Sequence, residues 1–191
     1  MSVGVRTRRF SVAEYRKMVH AGILKEDDRV ELIEGEIVEM VPIGPRHAVC
    51  VLRLNQYFNR VVGDRAIVGV QGPIALDPHS EPQPDLALFR QPVARYAESH
   101  PGPADLFLVI EVAESSVEED RTRKMPMYAR AGVREAWLVD LPAQAVEAYR
   151  RPTPNGYASV RKFGRGEVLT PEAFPDIHLP VDDILGSGLS N

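Results

Sequence analysis

The apolar positions of the chain change period several times, and each change marks an element. In "SVAEYRKMVHAG" Ser11 and Glu14 have the spacing of a capping box and Gly22 closes the stretch, predicting a short helix. "RVELIEGEIVEM" alternates on both sides of Glu34-Gly35, the pattern of a hairpin. In "GPRHAVCVLRLNQYFNRVVG" the residues Val51, Leu54, Phe58, Val61 and Val62 recur at helical spacing up to Gly63, predicting an amphipathic helix. Three β-prone runs follow, "AIVGVQ", "PIALD" and "PDLALF", and then a proline-rich loop over 91–104. "LFLVIEV" is apolar on both faces, as a central strand is. Ser116 and Glu119 have capping-box spacing before a helix through "DRTRKMPMYARAG", in which Pro126 predicts a kink or a second start. "EAWLVD", "AVEAYRR" and "YASVRKF" read as strands, and "EVLTPEAF" with "HLPVDDIL" as an edge covering. The order of elements points to an α/β (α+β) fold, a mixed sheet flanked by helices, with 1–191 forming a single domain.

Composition narrows the function classes. The 191 residues are 44% hydrophobic and 26% charged, which suits one globular unit with a real core. A net charge of -4 argues against an arm built for tight non-specific nucleic-acid binding, though not against a local basic groove. The lone cysteine, Cys50, rules out an intrachain disulfide and fits a reducing compartment. No apolar h-region follows the first arginines and no run is long enough to cross a bilayer, so a cytoplasmic protein is expected. Walker A, GxGxxG, HExxH, CxxC and GxSxG patterns are absent.

The candidate chemistry lies in a few carboxylates. Glu111 sits inside the apolar strand "LFLVIEV", where an ionised side chain is costly unless something compensates it. Asp85 follows Pro84 at the start of "PDLALF". If those strands are neighbours, the two side chains share a site. Converging carboxylates suit a hard cation such as Mg²⁺. With Glu31 in the hairpin and Lys124 on the next helix, the set suits metal-assisted phosphodiester hydrolysis. Each residue also has a plainer reading. Asp85 also fits a turn or strand end, Glu111 a salt bridge to an arginine or lysine across the sheet, and Glu31 the solvent face of a half-buried hairpin. Lys124 has Asp120 one turn away and Tyr128 one turn beyond, so a surface ion pair with Asp120 is open. His47 reads as a cap or polar contact, Gln71 as an ordinary strand residue, and Tyr128 and Trp137 as core. Arg90, Arg95, Arg121, Arg123 and Arg130 read as a solvated face before phosphate contacts.

The stretches "VELIEGEIVEM", "RHAV", "VQGPIALD", "SEPQPDLAL", "LVIEVAESSVEEDRTRKMPMYARAGVREAWLVD" and "VEAYRRP" resemble the PD-(D/E)xK nuclease superfamily. Within it they resemble a large bacterial family of restriction-endonuclease-like proteins, abundant in cyanobacteria and long named only as a domain of unknown function. The resemblance runs from about Phe10 to Leu185, and its most specific part is the ordered E…D…K…Y…GV.E.W.VD pattern. It implies a restriction-endonuclease-like core, a homodimer, and Mg²⁺- or Mn²⁺-dependent cleavage of DNA. It assigns Glu31, Asp85 and Glu111 to the metal and Lys124 to catalysis. The superfamily lysine usually stands two residues after the glutamate; here that position is Ala113, and the lysine of this family has moved to the following helix. His47 matches a recurrent histidine, and Glu114 stands where many members have serine. Two competing readings stay open. One is a catalytically silent module that binds nucleic acid or protein, and the other is a purely structural salt-bridge network.

Overall fold

Helix α1 (Val12–His20) begins where the capping box places it: Ser11 Oγ accepts from the Glu14 amide at 3.2 Å and the Glu14 carboxylate accepts from the Ser11 amide at 2.9 Å. The structure, a computed structural model, describes residues 7–25 and 27–186; the two ends of the expected 1–191 domain lie outside them. Strands β1 (Val30–Ile33) and β2 (Glu36–Glu39) form the hairpin, with Glu34 at φ +51° and Gly35 at φ +82°. Two left-handed residues match the twist of the flanking strands, which is why Gly is useful there. Pro45 opens α2 (Pro45–Val62), where its missing N–H costs nothing, and Gly63 ends it.

The main sheet has the order β3 (Ile67–Val70), β4 (Leu86–Phe89), β5 (Leu106–Ala113), β6 (Glu135–Asp140), β7 (Ala145–Thr153), β8 (Gly156–Gly164). Only the β5–β6 pair is parallel. A parallel pair needs a crossover, and it is supplied by α3 (Val117–Glu119), a π turn over Asp120–Lys124 and α4 (Met125–Arg130). Leu108, Ile110 and Val112 of β5 face α2; the alternate residues Val109 and Ala113 face α4 and the hairpin. Glu111 lies between the latter two, so the pleat turns it toward the crossover helix. Strands β9 (Val168–Leu169) and β10 (Leu179–Pro180) with α5 (Val181–Leu185) seal the α2 side of the core.

Two local expectations fail. "PIALD" joins no strand: Ile74, Ala75 and Leu76 donate singly to Pro82, Pro101 and Ser80, so the segment is an extended connection tied to three different places. Ser116 makes no capping box. Its backbone (φ -96°, ψ 6°) is not the extended one a cap needs, and its hydroxyl donates to Asp120 Oδ2 at 2.7 Å. Pro126 does mark a second start. It has no N–H to continue the first helix, and the wider turn before it, closed by Met125 N to Asp120 O, absorbs the break.

Trp137 and Phe58 are both fully buried and meet at 6.1 Å between α2 and the sheet. Replacing Trp137→Ala is expected to lower stability by about 3–5 kcal/mol. Urea unfolding would measure it, and a loss under about 1 kcal/mol would contradict this packing.

Candidate active site

Lys124 links the separate elements. It ends the π turn, its side chain is 13% exposed, and its Nζ lies 2.9 Å from Glu31 Oε1, 3.3 Å from Glu111 Oε1 and 4.0 Å from Asp120 Oδ1. A surface pair with Asp120 is therefore the wrong description: the ammonium points inward, and its nearest carboxylates come from the hairpin and the central strand. Glu31, Asp85 and Glu111 are only 4%, 8% and 3% exposed. Glu31 does not face solvent; its second oxygen accepts from the Gln83 amide at 2.9 Å.

Asp85 stands one residue before β4, and the register Leu86↔Ile110 puts it across from Glu111. Its Oδ2 accepts from Val112 N at 2.9 Å and pairs with His47 Nε2 at 3.0 Å, while Oδ1 accepts from Gln71 Nε2 at 3.2 Å. His47 comes from the first turn of α2; its Nδ1 is buried without a hydrogen bond among the described residues. Tyr128, fully buried, donates to Glu111 Oε1 at 2.6 Å. Thus Glu31, Asp85, Glu111 and Lys124 all line one cleft of about 300 Å³, together with His47, Asp120 and the apolar segment from Met40 to Ile43.

The electrostatics follow from burial and an excess of negative charge. Burial, aided by Asp120, Asp85 and Glu31, pushes the Glu111 carboxyl well above the ordinary range despite the pull of Lys124. Burial raises Asp120 likewise. Burial opposes the charge of Lys124, but Glu111, Glu31 and Asp120 outweigh it and hold the ammonium well above the usual lysine value. The Asp85 hydrogen bond raises His47 against its desolvation. Three buried carboxylates thus face one permanent cation, and the charge of Asp85 bears on Glu111 and Asp120 as well.

A divalent cation fits that imbalance. The available donors are hard oxygens, and Mg²⁺ commonly uses one or two carboxylates and keeps its waters. Glu111 Oε2 has no hydrogen bond among the described residues, and Asp85 Oδ1 accepts only one. Both oxygens of Glu31, by contrast, are engaged. No three His, Cys, Asp or Glu side chains among the described residues form a ready metal-binding group, so the expected three-carboxylate set is not pre-assembled.

Sequence reasoning passed over three of these contributors. Tyr128 reads as core, Gln71 as a strand residue and Asp120 as a surface partner. The i, i+4, i+8 spacing of Asp120, Lys124 and Tyr128 was the available signal; that this face turns inward was not visible. The loop and helix arginines are mostly occupied. Arg121 joins Glu147, Asp140 and Glu118, while Arg123 and Arg130 bind Glu36 and Glu34 on the hairpin. Arg95 pairs with Asp105, and Arg90 lies over the Phe107 ring at 4.8 Å.

Comparisons with known proteins agree with this architecture. A family model described as "Putative restriction endonuclease" matches residues 12–182. A crystal structure from Anabaena variabilis ATCC 29413, described as "a putative nuclease belonging to DUF820", superposes with a TM-score of 0.72 at 19% identity, covering 92% of this chain and 97% of that one. At that identity the likeness is one of fold. No curated protein matches the chain. No helix among the described residues is long and apolar enough to cross a membrane.

Removing the cation should expose the cost of the cluster. Lys124→Met leaves Glu31 and Glu111 buried without an ammonium, expected to lower stability by about 3–5 kcal/mol at pH 8. A carboxyl whose pKa is raised by folding binds more protons folded than unfolded, so its contribution is most favourable below the ordinary carboxylate range and declines as pH rises toward the folded value. The deficit of the variant should therefore shrink at pH 5. Urea unfolding at both pH values tests this; an equal deficit at both would show that Glu111 takes up no proton.

Proposed function

The chain belongs to the Uma2 family, described as "Putative restriction endonuclease", and on that premise we propose that it is a Mg²⁺-dependent endonuclease hydrolysing DNA phosphodiester bonds. The observation that carries the proposal is the meeting of Glu31, Glu111 and Lys124 from three separate elements in the cleft that Asp85 also lines. A buried charge cluster of this cost, gathered at the end of a central strand beside an open cleft, is the signature of a functional site.

Asp85 and Glu111 are the residues that would hold the metal. Bound there, Mg²⁺ supplies Lewis-acid polarisation of the phosphate and activation of water. Glu31 is assigned a different task from the one its sequence position implies. With one oxygen on Lys124 and the other on the Gln83 amide, it anchors the lysine. Lys124 keeps its proton through the neutral range, so it acts as a fixed positive charge and hydrogen-bond donor to the charge that builds up on phosphate, and not as a general base. Tyr128 holds Glu111 from behind, leaving one carboxylate oxygen toward the cleft.

One observation favours a second reading. Lys124 already compensates Glu31 and Glu111 without a metal, as it would in a silent binding module on the same fold. Nicking of supercoiled plasmid separates the two. The nuclease reading expects Mg²⁺-dependent nicking that is abolished by Asp85→Asn and reduced about 10²–10³-fold by Lys124→Met. Equal nicking by wild type and Asp85→Asn, or none with either Mg²⁺ or Mn²⁺, contradicts it.

A further inference from the structure

Gln71 stands just after β3 with φ +49°, in the left-handed region that side-chain-bearing residues adopt at a cost. Two of the other three non-glycine residues with positive φ among the described residues sit in tight turns. Glu34 is in the β1–β2 turn and Gln144 in the turn before β7, while Arg151 lies within β7 where the ladder lacks a pair between Arg150↔Ser159 and Pro152↔Tyr157. Gln71 opens no hairpin: the chain after it wanders through 72–84 before β4 begins.

What its conformation achieves is a double hold on one residue. The Gln71 amide N–H donates to the Asp85 carbonyl at 3.2 Å, and its side-chain Nε2 donates to Asp85 Oδ1 at 3.2 Å. From the opposite side His47 Nε2 meets Oδ2 at 3.0 Å and Val112 N donates to the same oxygen at 2.9 Å. The carboxylate is thus gripped from the residue after β3, from α2 and from β5. Its backbone is also pinned, and Oδ1 keeps one lone-pair direction uncommitted. His47 lines the cleft, whereas Gln71 does not.

We propose that Gln71 is a positioning residue: the left-handed backbone is retained because it aims the side-chain amide at Asp85 and, with His47, fixes that carboxylate in the orientation a metal ion uses. The inference rests on the reading of Asp85 as a metal ligand. Partners of this kind orient a ligand before the ion arrives, and their loss typically costs about 10–100-fold in metal affinity.

A merely structural Gln71 and a positioning one differ in what Gln71→Gly does. Glycine tolerates positive φ freely, so this change relieves the backbone while deleting the amide. Gln71→Asn keeps a residue at ease in the left-handed region but with too short a reach, and serves if the glycine variant folds poorly. Calorimetric titration with Mn²⁺ alone, paired with thermal melting, reads both quantities on the full chain. The expected result is Mn²⁺ binding by wild type, loss of binding in Asp85→Asn, and affinity about 10–100-fold weaker in both Gln71 variants with melting temperatures at or above wild type. Wild-type affinity in either folded Gln71 variant overturns the inference and leaves Asp85 as a ligand. Weaker binding accompanied by a lowered melting temperature in both also overturns it, since Gln71 would then only support the fold. If wild type binds no Mn²⁺, or Asp85→Asn binds it equally well, the reading of Asp85 fails and this inference with it.

Discussion

The ammonium of Lys124 sits where β1, β5 and the crossover helix would otherwise bring buried carboxylates together uncompensated. Glu31 and Glu111 each approach it within ordinary ion-pair distance, and Asp120 lies just beyond. In a poorly solvated pocket that attraction is strong, yet each ion has also lost its water, so the cluster is a weak source of stability and a strong constraint on geometry. Hairpin, central strand and crossover must meet at this point or leave charges stranded. Because one cation faces several carboxylates, the surplus falls on Glu111 and Asp120, whose pKa values rise. The site is held together and left electrically incomplete at once.

The topology explains how the lysine reaches that position. β5 and β6 run parallel, so the chain must cross over, and the crossover begins immediately beyond the end of β5 that carries Glu111. Its helix therefore returns over the residue it has just left. The π turn at Asp120–Lys124 inserts a wider turn before Pro126, and Lys124 and Tyr128 both arrive on Glu111 Oε1. A lysine two residues after the glutamate would share its strand face; here Ala113 packs in that place, among the residues beneath α4. The ammonium enters from the covering layer instead of from the strand. Asp85 comes from the neighbouring antiparallel strand, and α2 contributes only His47.

Most of this fold was legible in the chain because period and punctuation agree. The capping box at Ser11 and Glu14, the Glu34-Gly35 turn and the Pro45-to-Gly63 helix each combine a hydrophobic pattern with the residue types their ends require. "PIALD" misled because β-prone residues also suit an extended connection whose hydrogen bonds go to scattered partners. Ser116 and Glu119 had the right spacing and the wrong backbone. In the site, Glu111 was conspicuous as a charge within an apolar strand. Gln71 and Tyr128 were not, because nothing in a single sequence says that a strand-end amide or a core phenol has a carboxylate partner far along the chain. Glu31 illustrates the remaining gap: its place in the motif suggested a ligand, while both its oxygens are bonded elsewhere.

We propose that the surplus negative charge around Glu111 receives a divalent cation. A raised carboxyl pKa and a metal site make one joint demand: the ion must displace protons when it binds. Titrating the protein with Mn²⁺ in two buffers of different ionisation enthalpy counts those protons directly. Saturable binding with net proton release near neutral pH is expected, with both lost in Glu111→Gln. Binding that releases no protons and survives Glu111→Gln would contradict it.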